Sequence, residues 1–157
     1  CPNTDDGKCL SDDLESLKNL IIKFRDISSR MIVVKVSPDS TNEEVLKVCE
    51  ILSNLSKTAI NIGNTKYVKA IDVGLSSKTF SKEGGGLSGK SLYSNTLRMV
   101  KLVASNYDLP IIATGGVSSY DNVKELLDNG ASLTGMATLL VSDPFQIPLI
   151  NYRLSND

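Results

Sequence analysis

The chain has 157 residues, of which 41% are hydrophobic and 22% charged, and its formal net charge at pH 7 is −1. These values are typical of one globular domain with a core of its own and exclude a disordered or fibrous chain. Lys and Arg are scattered among Asp and Glu, so we expect no nucleic-acid partner. Apolar runs such as 31–34 and 139–141 are too short to cross a bilayer, so we expect no membrane segment in this chain.

The cysteine and histidine counts narrow the chemistry further. The three cysteines, Cys1, Cys9 and Cys49, are an odd number, which argues against a secreted disulfide framework and for the reducing cytoplasm. The chain has no His, so we expect no zinc or non-haem iron site and no His-assisted triad. Because the first residue is Cys rather than Met, we expect a processed or cut chain.

In the first third of the chain, helical and strand patterns alternate. Asp12 begins a predicted helix, and Met31–Val36 is a β-branched run that predicts a strand buried on both faces. Thr41 and Glu44 form a capping-box pattern that opens a second helix, and Ala59–Ile62 predicts a second strand. The apolar positions expected to face the core are Leu14, Leu17, Ile21 and Phe24 in the first helix and Val45, Val48, Leu52 and Leu55 in the second.

Residues 63–93 interrupt this alternation with a long segment rich in Gly and Ser. Loops of this length in compact domains are usually functional or disordered. Ser94 then predicts the cap of a helix with Leu97, Val100 and Val103 on one face, and Leu109–Ala113 predicts a third strand.

The last third repeats the strand–helix pattern. Ser118 and Asp121 predict a capping box for a helix carrying Val123, Leu126 and Leu127, which Gly130 closes at its C′ position. Ser132–Met136 predicts a fourth strand, and Ala137–Leu140 opens a further turn. Asp143-Pro144 predicts the start of a terminal helix with Pro at its first position, and Pro148 predicts an irregular continuation.

Four βα units with parallel strands indicate an α/β fold, either a doubly wound sheet or a barrel. A complete (β/α)8 barrel needs about 250 residues, so 157 residues supply roughly half of one. The loops after the strands favour the half barrel.

Glycine-rich turns follow the last two predicted strands. Gly115-Gly116 lets the backbone approach an anion and aim N–H groups at it before a helix that opens near Ser118. Ala137-Thr138 offers a similar turn one unit later, and paired sites after the last two strands form the common phosphate site of the barrel fold. A double glycine alone is equally compatible with a tight turn that binds nothing.

Three polar residues near strand ends are further candidates. Lys35 ends an apolar strand, where it either pairs with an anionic ligand such as an electron-rich flavin or extends its ammonium to solvent at the rim. Asn61 and Asn64 could hydrogen-bond an amide-bearing substrate, but Asn is equally natural in a turn without a ligand.

Taken together, the motifs resemble those of the dihydroorotate dehydrogenase family, in order and spacing across nearly the whole chain. Cys1-Pro2-Asn3 resembles its "[S/C]PN" element, and Val34–Asp39 its "VK(I/V)xPD" strand. Gly85–Lys90 resembles its "GGLSGK" flavin loop, and Pro110–Val117 its "PIIxxGG(V/I)" segment. Asn129–Leu133 and Ala137–Leu140 resemble "AGASLVQ…TAL".

The resemblance implies a (β/α)8 barrel that holds FMN and oxidises dihydroorotate to orotate in pyrimidine biosynthesis, with residues 1–157 as the C-terminal half of one FMN-binding barrel domain. It implies that Cys1 is the general base, which requires a lowered thiol pKa. The substrate contacts that it implies are Asn3, Asn61 or Asn64, and Thr65. The flavin contacts that it implies are Lys35, Gly86, Ser88, Gly89, Gly115, Gly116, Ser118, Ala137 and Thr138.

The resemblance is incomplete. The family's first four strands are absent, so we expect the chain alone to be inactive and to pair with a missing N-terminal half, and we expect a homo-oligomer. The segment 61–65 blends the patterns of the soluble and membrane-associated classes, which leaves the electron acceptor (fumarate, NAD through a partner subunit, or quinone) open.

Other functions stay open beside this one. A dihydropyrimidine dehydrogenase-type FMN domain shares the Cys base, and a phosphate-binding half barrel without flavin or a non-catalytic fragment would show the same turns. A hydrolase with Cys1 as N-terminal nucleophile is disfavoured because such enzymes are usually antiparallel sandwiches.

Overall fold

The computed structural model describes residues 13–76 and 82–157. The predicted contributions of Cys1 and Asn3, and the helix start at Asp12, lie outside these ranges. The helices are α1 (Leu14–Ile27), α2 (Asn42–Ser53), α3 (Tyr93–Ala104), α4 (Tyr120–Asp128), α5 (Ala137–Ser142) and α6 (Gln146–Leu154). The strands are β1 (Ile32–Val36), β2 (Thr58–Ile62), β3 (Lys66–Lys69), β4 (Gly84–Leu87), β5 (Ile111–Thr114) and β6 (Leu133–Gly135).

Four of these strands form one parallel sheet in the order β1-β2-β5-β6. A helix lies between each pair of sequential neighbours, so the predicted βα alternation is confirmed. All four carboxyl ends lie at one edge of the sheet, which brings the loops that follow them together. In the register, Lys35 of β1 lies opposite Asn61 of β2, and Asn61 lies opposite Ile112 of β5.

The two faces of the sheet differ in burial. One face packs against the helices and includes fully buried Ile60, Ile62 and Ala113. On the opposite face Val33 is 44% exposed and Leu133 is 61% exposed. The prediction that the first strand is buried on both faces is therefore wrong, because β1 alternates between the two faces and four strands enclose only part of the inner face.

Local capping explains where most helices begin. The predicted capping box of α2 is confirmed: Thr41 accepts from the Glu44 N–H, and the Glu44 carboxylate accepts from the Thr41 N–H at 2.7 Å. In α4 the cap is Ser119 rather than the predicted Ser118, because the Ser119 hydroxyl accepts from the Asn122 N–H. Gly130 follows α4 with φ of +103°, as predicted for a C′ glycine.

The core lies between the helices and the outer face of the sheet. Full burial of a Leu, Ile or Val side chain contributes about 1.5–3 kcal/mol, so these contacts dominate the stability of the fold. Cys49 is fully buried as a free thiol, and burial raises its pKa to about 11, so it packs as a small apolar side chain. The largest contributions come from Val45, Val48, Leu52, Ile60, Ile62, Met99, Val100, Val103, Ile111, Val123 and Leu126.

The predicted long loop at 63–93 is wrong in part, because it contains an antiparallel hairpin in which β3 pairs with β4. Three glycines of β4, Gly84–Gly86, have no side chains that would mark a strand in the sequence. A Cβ at Gly86 would lie 2.7 Å from the Cβ of Thr65, so the glycines allow the two arms to approach. A short 3-10 turn over residues 90–92 then leads directly into α3, so Ser94 is an interior residue of α3 and not its cap.

The remaining boundaries shift by a few residues. β5 and β6 are shorter than predicted, at Ile111–Thr114 and Leu133–Gly135. The terminal helix begins at Gln146, so the predicted start at Asp143-Pro144 is wrong. Pro148 does not disturb α6, because it is the third residue of the helix, where the backbone N–H has no intrahelical partner.

Candidate functional site

A cavity of about 400 Å³ opens at the carboxyl ends of the sheet strands. It is formed by the ends of β1, β5 and β6, the turn after β2, and the segment after the hairpin. The structure places ten of the predicted site residues in its wall. They are Lys35, Asn64, Thr65, Ser88, Gly89, Gly115, Gly116, Ser118, Ala137 and Thr138.

Two predicted residues of the described part of the chain, Asn61 and Gly86, do not line the cavity. Asn61 lies one level lower in β2, where its side-chain oxygen accepts a hydrogen bond from the Thr114 hydroxyl at 2.7 Å. Gly86 lies in β4, beside the Thr65 side chain. The structure therefore puts Asn61 next to the wall and gives Gly86 a role in hairpin packing.

The other half of the wall was not predicted from the sequence. Its apolar part consists of side chains that look like ordinary core residues in the sequence. Its polar side chains come from the 3-10 turn before α3, the end of β5, the end of α5 and the start of α6. Strand-end position would have signalled Gly63, Thr114 and Gly135. Lys90, Val117 and Leu139 lie inside the motifs quoted above but were not singled out, and no local motif marks the remaining four. The missed residues are Gly63, Lys90, Leu92, Thr114, Val117, Gly135, Leu139, Ser142, Asp143 and Gln146.

The Gly115-Gly116 turn has the backbone conformation expected of a glycine pair. The φ angles are +122° for Gly115 and +75° for Gly116, a region that L side chains rarely adopt. A Cβ at Gly116 would overlap the Tyr93 backbone nitrogen and lie 2.8 Å from the Tyr93 Cα. The turn therefore packs directly against the first residue of α3, which fixes its place in the cavity wall.

Gly89 differs from Gly116 because few protein atoms lie near the position that a side chain would occupy. Its φ is +100°, and a Cβ there would meet only the Thr138 methyl group at 3.8 Å. This open volume belongs to the cavity, so a ligand can approach the backbone of Gly89 closely. The segments 88–90 and 137–138 thus lie next to each other in the cavity wall.

Some hydrogen-bond donors of the Gly115-Gly116 turn and the residues after it have partners within the protein, and others do not. The backbone N–H and the hydroxyl of Ser118 both donate to the Asn122 side-chain oxygen at 3.2 Å, so these donors stabilise the start of α4. Within residues 13–76 and 82–157, no hydrogen bond uses the backbone N–H of Gly116 or Val117 as a donor. These two N–H groups are therefore free to bind an anion in the cavity.

Tyr93 connects the two helices behind the turn. Its hydroxyl donates to the Glu125 carboxylate at 2.6 Å, and the Asn122 carbonyl oxygen lies 3.2 Å from the same hydroxyl. Burial and the neighbouring Glu125 carboxylate raise the pKa of Tyr93 to about 12. The Tyr93 side chain is therefore neutral across the physiological range and holds the start of α3 against α4.

The charged side chains of the wall are two lysines and one carboxylate, Lys35, Lys90 and Asp143. Both lysines are exposed, and a cavity with more positive than negative charge favours an anionic ligand. Across the described residues there is no cluster of three or more His, Cys, Asp or Glu side chains that could hold a metal ion. The site is thus suited to a phosphorylated organic ligand with an apolar part.

Comparison with known proteins identifies the lineage. The sequence model of the family described as Dihydroorotate dehydrogenase matches residues 1–156. This chain belongs to the dihydroorotate dehydrogenase family.

Among curated members of the family, the catalytic subunit of dihydroorotate dehydrogenase B (NAD(+)) from Enterococcus faecalis is 30% identical over 149 residues, 94% of this chain and 47% of that protein. The protein of the same name from Bacillus pumilus is 29% identical over 157 residues, 99% of this chain and 50% of that protein. The chain thus spans about half the length of the curated relatives it matches.

A solved structure of the same family shares the fold. The dihydroorotate dehydrogenase of Eimeria tenella in complex with ferulenol superposes with a TM-score of 0.71 at 21% sequence identity, covering 94% of this chain and 43% of that one. The fold of this chain is therefore part of a (β/α)8 barrel. Its four parallel strands form part of the barrel wall. None of the described helices is long and apolar enough to cross a membrane.

Proposed function

We propose that this chain forms the flavin-phosphate end of the active site in an FMN-dependent dihydroorotate dehydrogenase, which oxidises dihydroorotate to orotate in pyrimidine biosynthesis. The observation that carries the proposal is the convergence of Lys35, Gly89 and the Gly115-Gly116 turn on one cavity at the strand carboxyl ends. These segments are separated by about 25 to 50 residues in the chain, and only the barrel architecture brings them together.

The residues present fit the phosphate of FMN. The unused N–H groups of Gly116 and Val117 can donate to phosphate oxygens, and the open space at Gly89 leaves room for a ligand against the backbone. Ala137 and Thr138 line the same cavity beside Gly89. Because both Ser118 donors are engaged by Asn122, we assign Ser118 to holding the turn rather than to the phosphate itself.

When bound, FMN supplies a hydride acceptor. Of the residues in this chain, Lys35 holds a positive charge at the cavity, where it favours a ligand that is rich in electrons. Asn3, Thr65 and either Asn61 or Asn64 supply hydrogen bonds for the substrate, and Cys1 removes a proton from its ring. The roles of Cys1 and Asn3 rest on the resemblance of Cys1-Pro2-Asn3 to the family's active-site element.

The proposal concerns a complete barrel. Four strands leave Val33 and Leu133 exposed on the inner face, so the substrate side of the site requires strands that this chain does not supply. We propose that residues 1–157 are the C-terminal half of a single FMN-binding domain and that the chain alone does not turn over dihydroorotate. We place the protein in the cytoplasm as a homo-oligomer, and the name of the relatives favours NAD(+) as acceptor through a second subunit.

The first test is the visible absorption spectrum of the purified protein, with an intact mass of the same sample. We expect an oxidised-flavin spectrum. In protein in which this chain is completed to a full barrel, we also expect bleaching by dihydroorotate under anaerobic conditions, and reoxidation by NAD(+), fumarate or a quinone then identifies the acceptor. A colourless protein that binds a phosphorylated metabolite would contradict the proposal. Reduction of uracil by a nicotinamide donor would favour a dihydropyrimidine dehydrogenase-type domain instead.

A further inference from the structure

The hydrogen bond between Thr114 and Asn61 joins two neighbouring strands on the inner face of the sheet. The Thr114 hydroxyl donates to the Asn61 side-chain oxygen at 2.7 Å. Both side chains are only half-buried, and Thr114 also lines the cavity. The bond therefore lies at the boundary between the sheet and the ligand space.

Thr114 is held in place from three sides. A Cβ at Gly63 would overlap the Thr114 carbonyl oxygen, so the turn after β2 packs directly on the backbone of β5. A Cβ at Gly135 would lie 3.0 Å from the Thr114 hydroxyl oxygen and 3.1 Å from its methyl group. The buried Thr96 hydroxyl donates to the Thr114 carbonyl oxygen at 3.4 Å. Packing thus fixes the position of the Thr114 hydroxyl oxygen, and this hydroxyl donates to Asn61.

The Thr114 donor sets the polarity of the Asn61 amide. Because the side-chain oxygen of Asn61 accepts from Thr114, its NH₂ group is left with two donors for a ligand. Lys35 lies opposite Asn61 in the parallel register, and an ammonium group also has donors and no acceptor. This level of the inner face therefore presents only donors.

We propose that Thr114 is a positioning residue that orients Asn61 to donate to an acceptor oxygen of the pyrimidine substrate, either its carboxylate or a ring carbonyl. This inference rests on the proposed function. It selects Asn61 over Asn64 as the substrate contact, because the Asn61 side-chain oxygen is held by a residue of a neighbouring strand, whereas the Asn64 side-chain oxygen accepts from the Thr65 N–H at 2.9 Å within its own turn.

The test uses flavin-loaded protein in which this chain is completed to a full barrel, and it measures orotate binding by the perturbation of the flavin spectrum. Thr114→Val removes the donor at nearly constant volume. The Asn61 amide group can then rotate by half a turn and point its oxygen, instead of its NH₂ group, at the ligand. We expect the dissociation constant for orotate and the KM for dihydroorotate to rise about tenfold, with kcat changed less than about threefold. Thr114→Ser keeps the hydroxyl and restores both constants to within about twofold.

A second pair of variants examines the orientation itself. Asn61→Asp can still accept from Thr114 but turns an acceptor toward the ligand, so orotate binding falls by about 100-fold or more, further than in Asn61→Ala. If Asn61 instead presented its oxygen, Asn61→Asp would bind as well as or better than Asn61→Ala, which overturns the inference.

Thr58→Val is the matched control, because the Thr58 hydroxyl donates to the Leu52 and Leu55 carbonyls at the opposite end of β2. It lowers stability and leaves orotate binding unchanged. Unchanged binding in Thr114→Val, or loss of flavin in place of orotate affinity, overturns the inference while the proposed function stands. A flavin-loaded wild-type protein whose spectrum orotate does not alter overturns both.

Discussion

The two ends of the parallel sheet use their polar groups in opposite ways. At the amino end, the Arg25 guanidinium donates to four backbone carbonyls, at distances of 2.7–3.2 Å. These carbonyls belong to Ser28, Arg30, Ser56 and Lys57. At the carboxyl end, by contrast, glycine turns leave N–H groups without acceptors inside the described part of the chain, and lysines extend into a cavity. At the amino end, which we call the closed end, the polar groups bond to each other. At the carboxyl end, the open end, they are available to a ligand.

The difference shows that a barrel places stabilising interactions at one end of its strands and ligand-binding groups at the other. Polar groups that are satisfied internally hold strands and helices together and offer a ligand nothing. Groups that are left unsatisfied cost stability but can recognise a ligand. Substitutions at the amino end should therefore change unfolding without changing flavin affinity, and substitutions of cavity side chains should do the reverse.

The largest expected effect comes from Gly63→Ala, which tests whether the carboxyl end also carries structural constraints. A Cβ there would lie 2.5 Å from the Thr114 carbonyl carbon, so β2 and β5 must separate. We expect a loss of about 4 kcal/mol in the free energy of unfolding, measured by urea denaturation, together with loss of bound flavin.

Gly74→Ala is the control for this variant, since Gly74 also has a positive φ, +75°, but nothing lies within 4 Å of a Cβ built there. Only backbone strain remains, so it costs about 1 kcal/mol. Equal losses in the two variants would show that strain, and not the contact with β5, decides the effect.

Arg25→Met should break the closed end alone. It removes all four donors to the carbonyls between α1, β1 and β2, and we expect a loss of about 2 kcal/mol in unfolding free energy by chemical denaturation. The flavin dissociation constant of the folded protein should stay within about twofold of the wild type. Lys23→Met, at an exposed position on the same helix, controls for the lost charge. Equal stability of the two variants would show that the four hydrogen bonds of Arg25 do not stabilise the fold.

Lys35→Met should affect the open end alone. The variant removes one of two positive charges of the cavity wall, so we expect flavin affinity to fall about tenfold, which corresponds to about 1.4 kcal/mol. Fluorescence titration of the apoprotein with FMN measures the change. Lys47→Met removes a charge from an exposed ion pair with Glu43 and should change the affinity less than about twofold. A similar loss in both variants would indicate a general charge effect.

The smallest effect concerns the Tyr93 hydrogen bond behind the turn. Its pKa is raised to about 12 from an ordinary value of 10.0, so the folded protein holds the proton more tightly than the unfolded chain. Between pH 10 and 12 the unfolded chain has lost this proton and the folded protein has kept it, so stability falls as pH rises through that window.

Tyr93→Phe removes the titrating group, and its unfolding free energy should decline less steeply over the same window. Denaturation midpoints of wild type and variant at several pH values measure the difference. Parallel curves would show that Tyr93 does not contribute to the pH dependence.

The accuracy of the sequence-based predictions follows the range of the interactions involved. The α2 capping box was predicted correctly because Thr41 and Glu44 interact within one helical turn. The β3–β4 hairpin was missed because Gly84–Gly86 carry no side chains whose alternation could mark a strand. The Ser94 cap was wrong because the 3-10 turn at 90–92 already leads the chain into α3.

The same distinction applies to the candidate site. Gly115-Gly116, Gly89 and Lys35 were predicted because each belongs to a short contiguous motif. Gly63, Gly135 and Thr114 were missed because their importance arises from close contacts between different strands. Asp143 and Gln146 were missed because only the path of the chain after β6 brings them to the cavity.

By itself, the sequence determined the parallel βα order, the helix caps and the motifs that resemble one enzyme family, because these depend on neighbours within a few residues. Only the tertiary structure decided that Ser118 supports its own turn and that the Thr114 hydroxyl donates to the Asn61 side-chain oxygen on the neighbouring strand. The sequence alone does not tell whether a hydrogen-bond donor binds another group of the protein or a ligand. Their partners are set when packing brings a donor and an acceptor from distant parts of the chain within about 3 Å of each other, and this separates a structural group from a binding one.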